Sequence, residues 1–253
     1  MVRIAVVFVG PAGAGKSSLV GAYSRWLARE HQENSLKVNL DPAADYVPYV
    51  PDFDVRKLVN VRDVALKYRL DPNGALVKSI ELIAEMLPQI ASNISSKEAD
   101  VILVDTPGQM EVFVFRDIAP KLIRELKTFV SRLVGVFVAD ASLIKNPEDY
   151  AFVAVMSAAL QVKLGVDVIP VINKCDLVGE VSVVGDVVSD VNYVMQELSG
   201  RGTYGEMMAE VLKVVWRYAK ASNVPKVSAR TLDGIEDLHK AIHEVACGCG
   251  DLT

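Results

Sequence analysis

The stretch Gly10-Pro11-Ala12-Gly13-Ala14-Gly15-Lys16-Ser17 constrains this chain more than any other, because of what stands on either side of it. Before it lies an unbroken apolar run, Ile4 to Val9, and after it a segment with helical spacing. A short β-branched run bounded by turn residues reads as a buried strand. The spacing G-x-x-x-x-G-K-S between a strand and a helix is that of a loop whose backbone N–H groups wrap an anion. Its glycines let successive amides turn inward, and the helix N-terminus adds the positive end of its dipole. On this reading Gly10, Gly13, Ala14, Gly15, Lys16, Ser17 and Ser18 hold phosphates, with Lys16 on the terminal phosphates and Ser17 on a Mg²⁺ ion.

A phosphate loop of this kind belongs on a mainly parallel sheet covered by helices on both faces, and the rest of the chain alternates accordingly. Further strands are expected at Lys37–Leu40, Val101–Asp105, Leu133–Asp140, Asp167–Asn173 and Lys226–Ser228. Helical spacing recurs over Ser17–His31, Ala75–Ala91, Asp149–Leu164, Tyr204–Ala221 and Ile235–Val245. The expectation is a three-layer α/β P-loop NTPase fold forming one domain over residues 1–253. Two stretches break the alternation and read as insertions. Residues 41–74 carry Pro42, Pro48, Pro51 and Pro72 around a helix-like piece at Val61–Leu70, and residues 178–202 are rich in Val and Gly.

Half of the 253 residues are hydrophobic (51%) and 23% are charged, so the chain can bury a sizeable core. A net charge of −5 argues against a broad nucleic-acid surface. Cys175, Cys247 and Cys249 are too few and too clustered to staple a secreted domain. No apolar run approaches the ~20 residues of a membrane span, and the first strand begins at once with no cleavable leader ahead of it. These features predict a soluble cytoplasmic protein.

Two further constellations specify the nucleotide and the chemistry. Asn173-Lys174-Cys175-Asp176 closes an apolar strand and fits N-K-x-D, in which a carboxylate accepts from the ring N–H and exocyclic amine of guanine. Adenine lacks that donor pair, and an unmatched buried carboxylate costs on the order of a few kcal/mol. Lys174 can lie along the base, and Asn173 can tie loops together. Ser228-Ala229-Arg230 follows a short strand and resembles S-A-K, which places the Ala229 amide on the guanine oxygen. Asp105-Thr106-Pro107-Gly108-Gln109 follows Val101–Val104 and fits the D-x-x-G switch. Asp105 would support Mg²⁺, the Gly108 amide would sense the terminal phosphate, and Gln109 would orient the attacking water. Glu111 either polarises that water or is a helix-start carboxylate. Asp41 leaves the second strand just before Pro42 and is either a carboxylate near Mg²⁺ and the water or a cap.

VNLDPA at 38–43, DPNGA at 71–75, DTPGQME at 105–111, NKCDL at 173–177 and the tail CGCGDLT together resemble the GPN-loop GTPases. The resemblance runs from the P-loop to the last residue. It implies GTP and GDP as ligands, Mg²⁺ as cofactor, and a homodimer in which the Gly-Pro-Asn loop of one subunit reaches the partner's site. The matching residues are Pro72 and Asn73, so Asn73 joins Lys16, Asp41, Gln109 and Glu111 among the candidate catalytic residues, with Ser17, Asp41 and Asp105 around the metal. Asp71 replaces the motif's glycine, and Asp tolerates the left-handed backbone a turn here would need. From the residues alone Asp71–Gly74 is an ordinary Pro-Asn-Gly turn. The expected activity is hydrolysis of GTP as a dimeric switch in the assembly of protein complexes, with a protein client. A P-loop kinase with a small-molecule acceptor and a non-hydrolysing chaperone remain open. His239, His243 and Cys247 recur at i, i+4 and i+8, which suits either a zinc or redox site or a plain amphipathic helix.

Overall fold

A computed structural model describes residues 3–114, 116–178, 191–217 and 224–247. Among these, six strands form one sheet: β1 (Ile4–Val9), β2 (Ser35–Asn39), β3 (Phe53–Asp54), β4 (Val101–Asp105), β5 (Arg132–Asp140) and β6 (Val168–Asn173). Their order is β3-β2-β4-β1-β5-β6, and every pairing is parallel. Alternation along β1 explains the layering. Ala5, Val7 and Val9 face one core, while Val6 and Phe8 face the other.

The second core lies under α1 (Lys16–Trp26) and the C-terminal helix, through Leu19, Tyr23, Leu238 and Ile242. The first core lies under α2 (Val61–Tyr68), α3 (Pro72–Ser95), α4 (Met110–Val114), α5 (Ile118–Leu126) and α6 (Pro147–Leu164). It also takes residues from α7 (Val191–Ser199) and α8 (Gly202–Arg217). The C-terminal helix, α9, runs from Ile235 to Cys247. A strand buried on both faces needs apolar residues at nearly every position, which is why the central β1 and β4 read as continuous apolar runs, whereas β2 reads Ser-Leu-Lys-Val-Asn.

Several expectations shift. The P-loop helix passes into a single π-helical turn at Leu27–His31. Lys226–Ser228 is not a strand: only an isolated bridge joins Lys226 to Ile172, since Pro225 beside it has no N–H to extend a ladder. The segment 41–74 contains β3, a 3-10 turn at Val55–Lys57, α2 and the first turn of α3. Of the expected insertion at 178–202, residues 179–190 lie outside the described residues, and the rest holds α7. The expected helix Tyr204–Ala221 begins two residues earlier and is described as far as Arg217.

Candidate active site

Because all the strands run the same way, their C-terminal ends and following loops gather along one edge. Register sets the heights: Asp105 lies level with Phe8 on one side and Asn39 on the other, and Asn173 lies level with Asp140.

The P-loop closes around backbone geometry that only glycine tolerates. Gly15 has φ 88°, and a Cβ there would stand 2.5 Å from Nδ2 of Asn173. That approach lets Asn173 join three segments. Its Nδ2 donates to the Ala14 carbonyl at 3.0 Å, and its Oδ1 accepts from the Ala229 amide at 3.2 Å. The Ser228 hydroxyl donates to Asp176 Oδ1 at 2.7 Å while accepting from the amides of Arg230 and Thr231. One oxygen of Asp176 is thereby fixed, and the carboxylate is aimed. Lys174, with φ 66°, turns its ammonium onto Asp140 Oδ2 at 2.7 Å. Burial works to raise the Asp140 pKa, but the Lys174 ammonium and the Ser142 hydroxyl and amide hold it below the usual carboxylate range.

At the phosphate end Lys16 is buried and donates to the carbonyls of Gly10 (3.0 Å) and Pro11 (3.1 Å). Burial lowers its pKa, against the pull of Asp105 and Asp41. Asp105 is 1% exposed, and burial pushes its pKa up to about 6 even though Ser17, Tyr49 and Lys16 act in the other direction. Its Oδ2 accepts from the Tyr49 hydroxyl at 2.9 Å; its Oδ1 is buried and has no hydrogen-bond partner among the described residues. A buried carboxylate oxygen left unpaired beside a P-loop serine is what a hard cation or its water would complete, so these residues fit Mg²⁺.

Asp41 bridges the second carboxylate position to the switch. Its Oδ2 accepts from the Gly108 amide at 3.3 Å and its Oδ1 from the Ala43 amide at 2.9 Å. Asn39 sets this up, accepting from the Asp41 amide at 3.1 Å and donating to Asp54 at 3.0 Å, which Arg56 grips in turn. Gln109 and Glu111 are different: both are exposed, and their side chains make no hydrogen bond among the described residues.

Comparison with known proteins completes the picture. A family model described as "Conserved hypothetical ATP binding protein" matches residues 8–248. The GPN-loop GTPase PAB0955 of Pyrococcus abyssi is 35% identical over 253 residues, spanning 98% of this chain and 99% of that protein. Its crystal structure, of a GTPase in apo form, superposes with a TM-score of 0.84 at 32% identity, covering 97% and 98% of the two chains. The chain belongs to the GPN-loop GTPases. A plant member, GPN-loop GTPase QQT1 of Arabidopsis thaliana, is 27% identical across 93% of this chain and 82% of its own length.

In this GPN-loop GTPase the motif that names the family is the first turn of α3 and not a free turn. Asp71 is its N-cap, with φ −66° and ψ 166°, and its carboxylate accepts from the Gly74 amide at 3.3 Å. The left-handed backbone expected at Asp71 is instead at Arg69, the C-cap of α2. Aspartate at N-cap followed by Pro72 at N1 is a helix start, and this local preference displaces the turn. Asn73 is exposed, and among the described residues no hydrogen bond ties it to its own P-loop.

Tyr49, Asn39 and Asp140 escaped the sequence reading. Asn39 and Asp140 could have been found as polar residues ending apolar strands, whereas Tyr49 has no local signal beyond its place between Pro48 and Pro51. All three histidines meet behind α1: the His239 ring lies 4.3 Å from those of His31 and His243, and its Nδ1 shares a 2.9 Å hydrogen bond with the Tyr23 hydroxyl. Among the described residues no group of three or more His, Cys, Asp or Glu is arranged to hold a metal, and no helix is long and apolar enough to cross a membrane.

Proposed function

We propose that this chain binds GTP with Mg²⁺ and hydrolyses it to GDP and phosphate, working as a cytoplasmic homodimeric switch in the assembly of protein complexes. The observation that carries the reading is the Asn173 bridge, which holds the guanine-reading residues Asp176, Ser228 and Ala229 at a fixed distance from the phosphate loop. A base and a phosphate chain bound together at that spacing are what a purine nucleotide offers. The choice of guanine rests on Asp176, which keeps one carboxylate oxygen clear of the Ser228 hydroxyl for a ring N–H and amine. The description of the family model names ATP. An adenine facing Asp176 lacks the ring N–H and amine pair and would leave the carboxylate oxygen not held by Ser228 unmatched, so GTP is favoured.

Each residue then has a task. Lys16 leaves the Gly10 and Pro11 carbonyls for the terminal phosphates, a short swing within the same loop. Ser17 and the free Oδ1 of Asp105 would hold Mg²⁺, which neutralises phosphate charge when bound. Asp41 exchanges the Gly108 amide for water as that amide turns to the terminal phosphate, linking 41–51 to the switch. Gln109, exposed just before α4, and Glu111, exposed in its first turn, position the water once the switch closes. Asn73 is exposed at the start of α3 and makes no hydrogen bond to its own P-loop among the described residues, and the family likeness supports a trans role for it in the partner's site. The test follows label from the γ-phosphate of GTP. Free phosphate, released faster per protomer as protein concentration rises, is the expected result. Label on an acceptor molecule would point to a transferase.

A further inference from the structure

We infer that Tyr49 is a positioning residue for the cation site, holding the Asp105 carboxylate in the one orientation that presents Oδ1. The inference rests on the proposed reading of Asp105 as the carboxylate that supports Mg²⁺.

A carboxylate on a short side chain rotates easily about its last bond, and the Ser17 hydroxyl and the Lys16 ammonium also act on the buried Asp105. The Tyr49 hydroxyl selects one orientation by donating to Oδ2 at 2.9 Å, which leaves Oδ1 as the oxygen with no hydrogen-bond partner among the described residues. A free carboxylate oxygen fixed in place costs a cation little reorganisation on binding.

The segment that carries Tyr49 is clamped at both ends, so the phenol is a fixed donor. On one side it lies against α1 where there is no side chain: a Cβ at Gly21 would stand 3.1 Å from the Pro48 carbonyl oxygen and 3.4 Å from the Tyr49 Cβ. On the other side Asp52 is tied to β2. Its amide donates to the Lys37 carbonyl, and its carboxylate accepts from the Lys37 amide at 2.8 Å and meets the Lys37 ammonium at 2.7 Å. Pro48 and Pro51 stiffen the stretch between. The tyrosine ring packs against the core shared by α1 and α9. Tyr49 thus joins the segment that begins at Asp41 to the Asp105 carboxylate, so that both carboxylates near the cation depend on one stretch of chain.

The test measures Mg²⁺ dependence in the full-length protein. Release of a fluorescent GDP analogue is followed as Mg²⁺ is titrated into wild type and Tyr49→Phe, and equilibrium binding of the analogue is measured in EDTA. In the phenylalanine variant the Mg²⁺ concentration giving half the slowing of release should rise about tenfold or more, with binding in EDTA unchanged. An identical Mg²⁺ midpoint in the two proteins overturns the inference, and so does an equal loss of binding in EDTA, which marks a merely structural residue. Adding Tyr49→Phe to Asp105→Asn should cause no further shift, and an additive loss would also refute the role. Failure of wild type to bind the analogue at all would instead overturn the guanine reading on which the assay depends.

Discussion

Asp105 illustrates how a single residue is asked for opposite things by folding and by function. Burial raises its pKa from the usual 3.8 to about 6, so the free protein holds the carboxyl proton more tightly than the unfolded chain does. A group raised in this way stabilises the fold fully below pH 4, and the contribution is lost as pH climbs through 6. The difference corresponds to about 3 kcal/mol of stability withheld above that window. Asp105→Asn should therefore raise the melting temperature of the nucleotide-free, metal-free protein at pH 8, by roughly 3–8 °C. The same variant should lose Mg²⁺-dependent retention of nucleotide. Calorimetric melting across pH 4–8 checks the first part; an unchanged or lower melting temperature in the variant at pH 8 would contradict it. His239 works in the opposite sense over a similar range. Burial, with help from His243 and His31, depresses its pKa to about 4, so its contribution is present above pH 6.5 and lost as pH falls through 4. The two trends oppose each other in wild type, and comparison with the asparagine variant separates them.

At the scale of elements, α3 connects the family motif to the core. Its first turn displays Pro72 and Asn73, and its length buries Leu76, Ile80, Ile83, Leu87 and Ile90 against the sheet. The cap at Asp71 sits close over residue 74: a Cβ at Gly74 would lie 2.7 Å from Asp71 Oδ1 and would push the capping carboxylate aside. Loss of the cap in Asp71→Ala should cost about 1 kcal/mol, measurable by denaturant unfolding, where an unaltered midpoint would show the cap to be idle. Asn73→Ala leaves cap and core alone. It should lower GTP turnover about tenfold or more without weakening GTP binding, and unchanged turnover would remove Asn73 from the reaction.

Local pattern made β1, β4, α6 and α9 legible to within a residue or two, because long apolar or periodic runs leave few alternatives. It failed for β3, only two residues long, and for α5, where Pro120 in the first turn hides a strongly amphipathic helix. The G-x-x-x-x-G-K-S and N-K-x-D spacings stand out in the sequence, and the fold joins them through the Asn173 hydrogen bonds to Ala14 and Ala229. Tyr49 has no such signal, because its partner Asp105 lies 56 residues away and meets it through tertiary packing, with Pro48 set against α1 and Asp52 tied to β2.

Across the whole molecule, the parallel sheet gathers six separate segments at one edge, and Asn173 welds the first of them to the last two. This makes the spacing between the P-loop and the segments that carry Asp176 and Ala229 a property of the fold and not of any one loop. The central claim is that this edge recognises GTP, and the most direct measurement is kcat/KM for phosphate release from GTP and from ATP, in wild type and in Asp176→Asn. The account predicts a preference for GTP of about 100-fold or more in wild type, falling at least about tenfold in the variant. Equal use of GTP and ATP by wild type, or a preference untouched by the substitution, would contradict it.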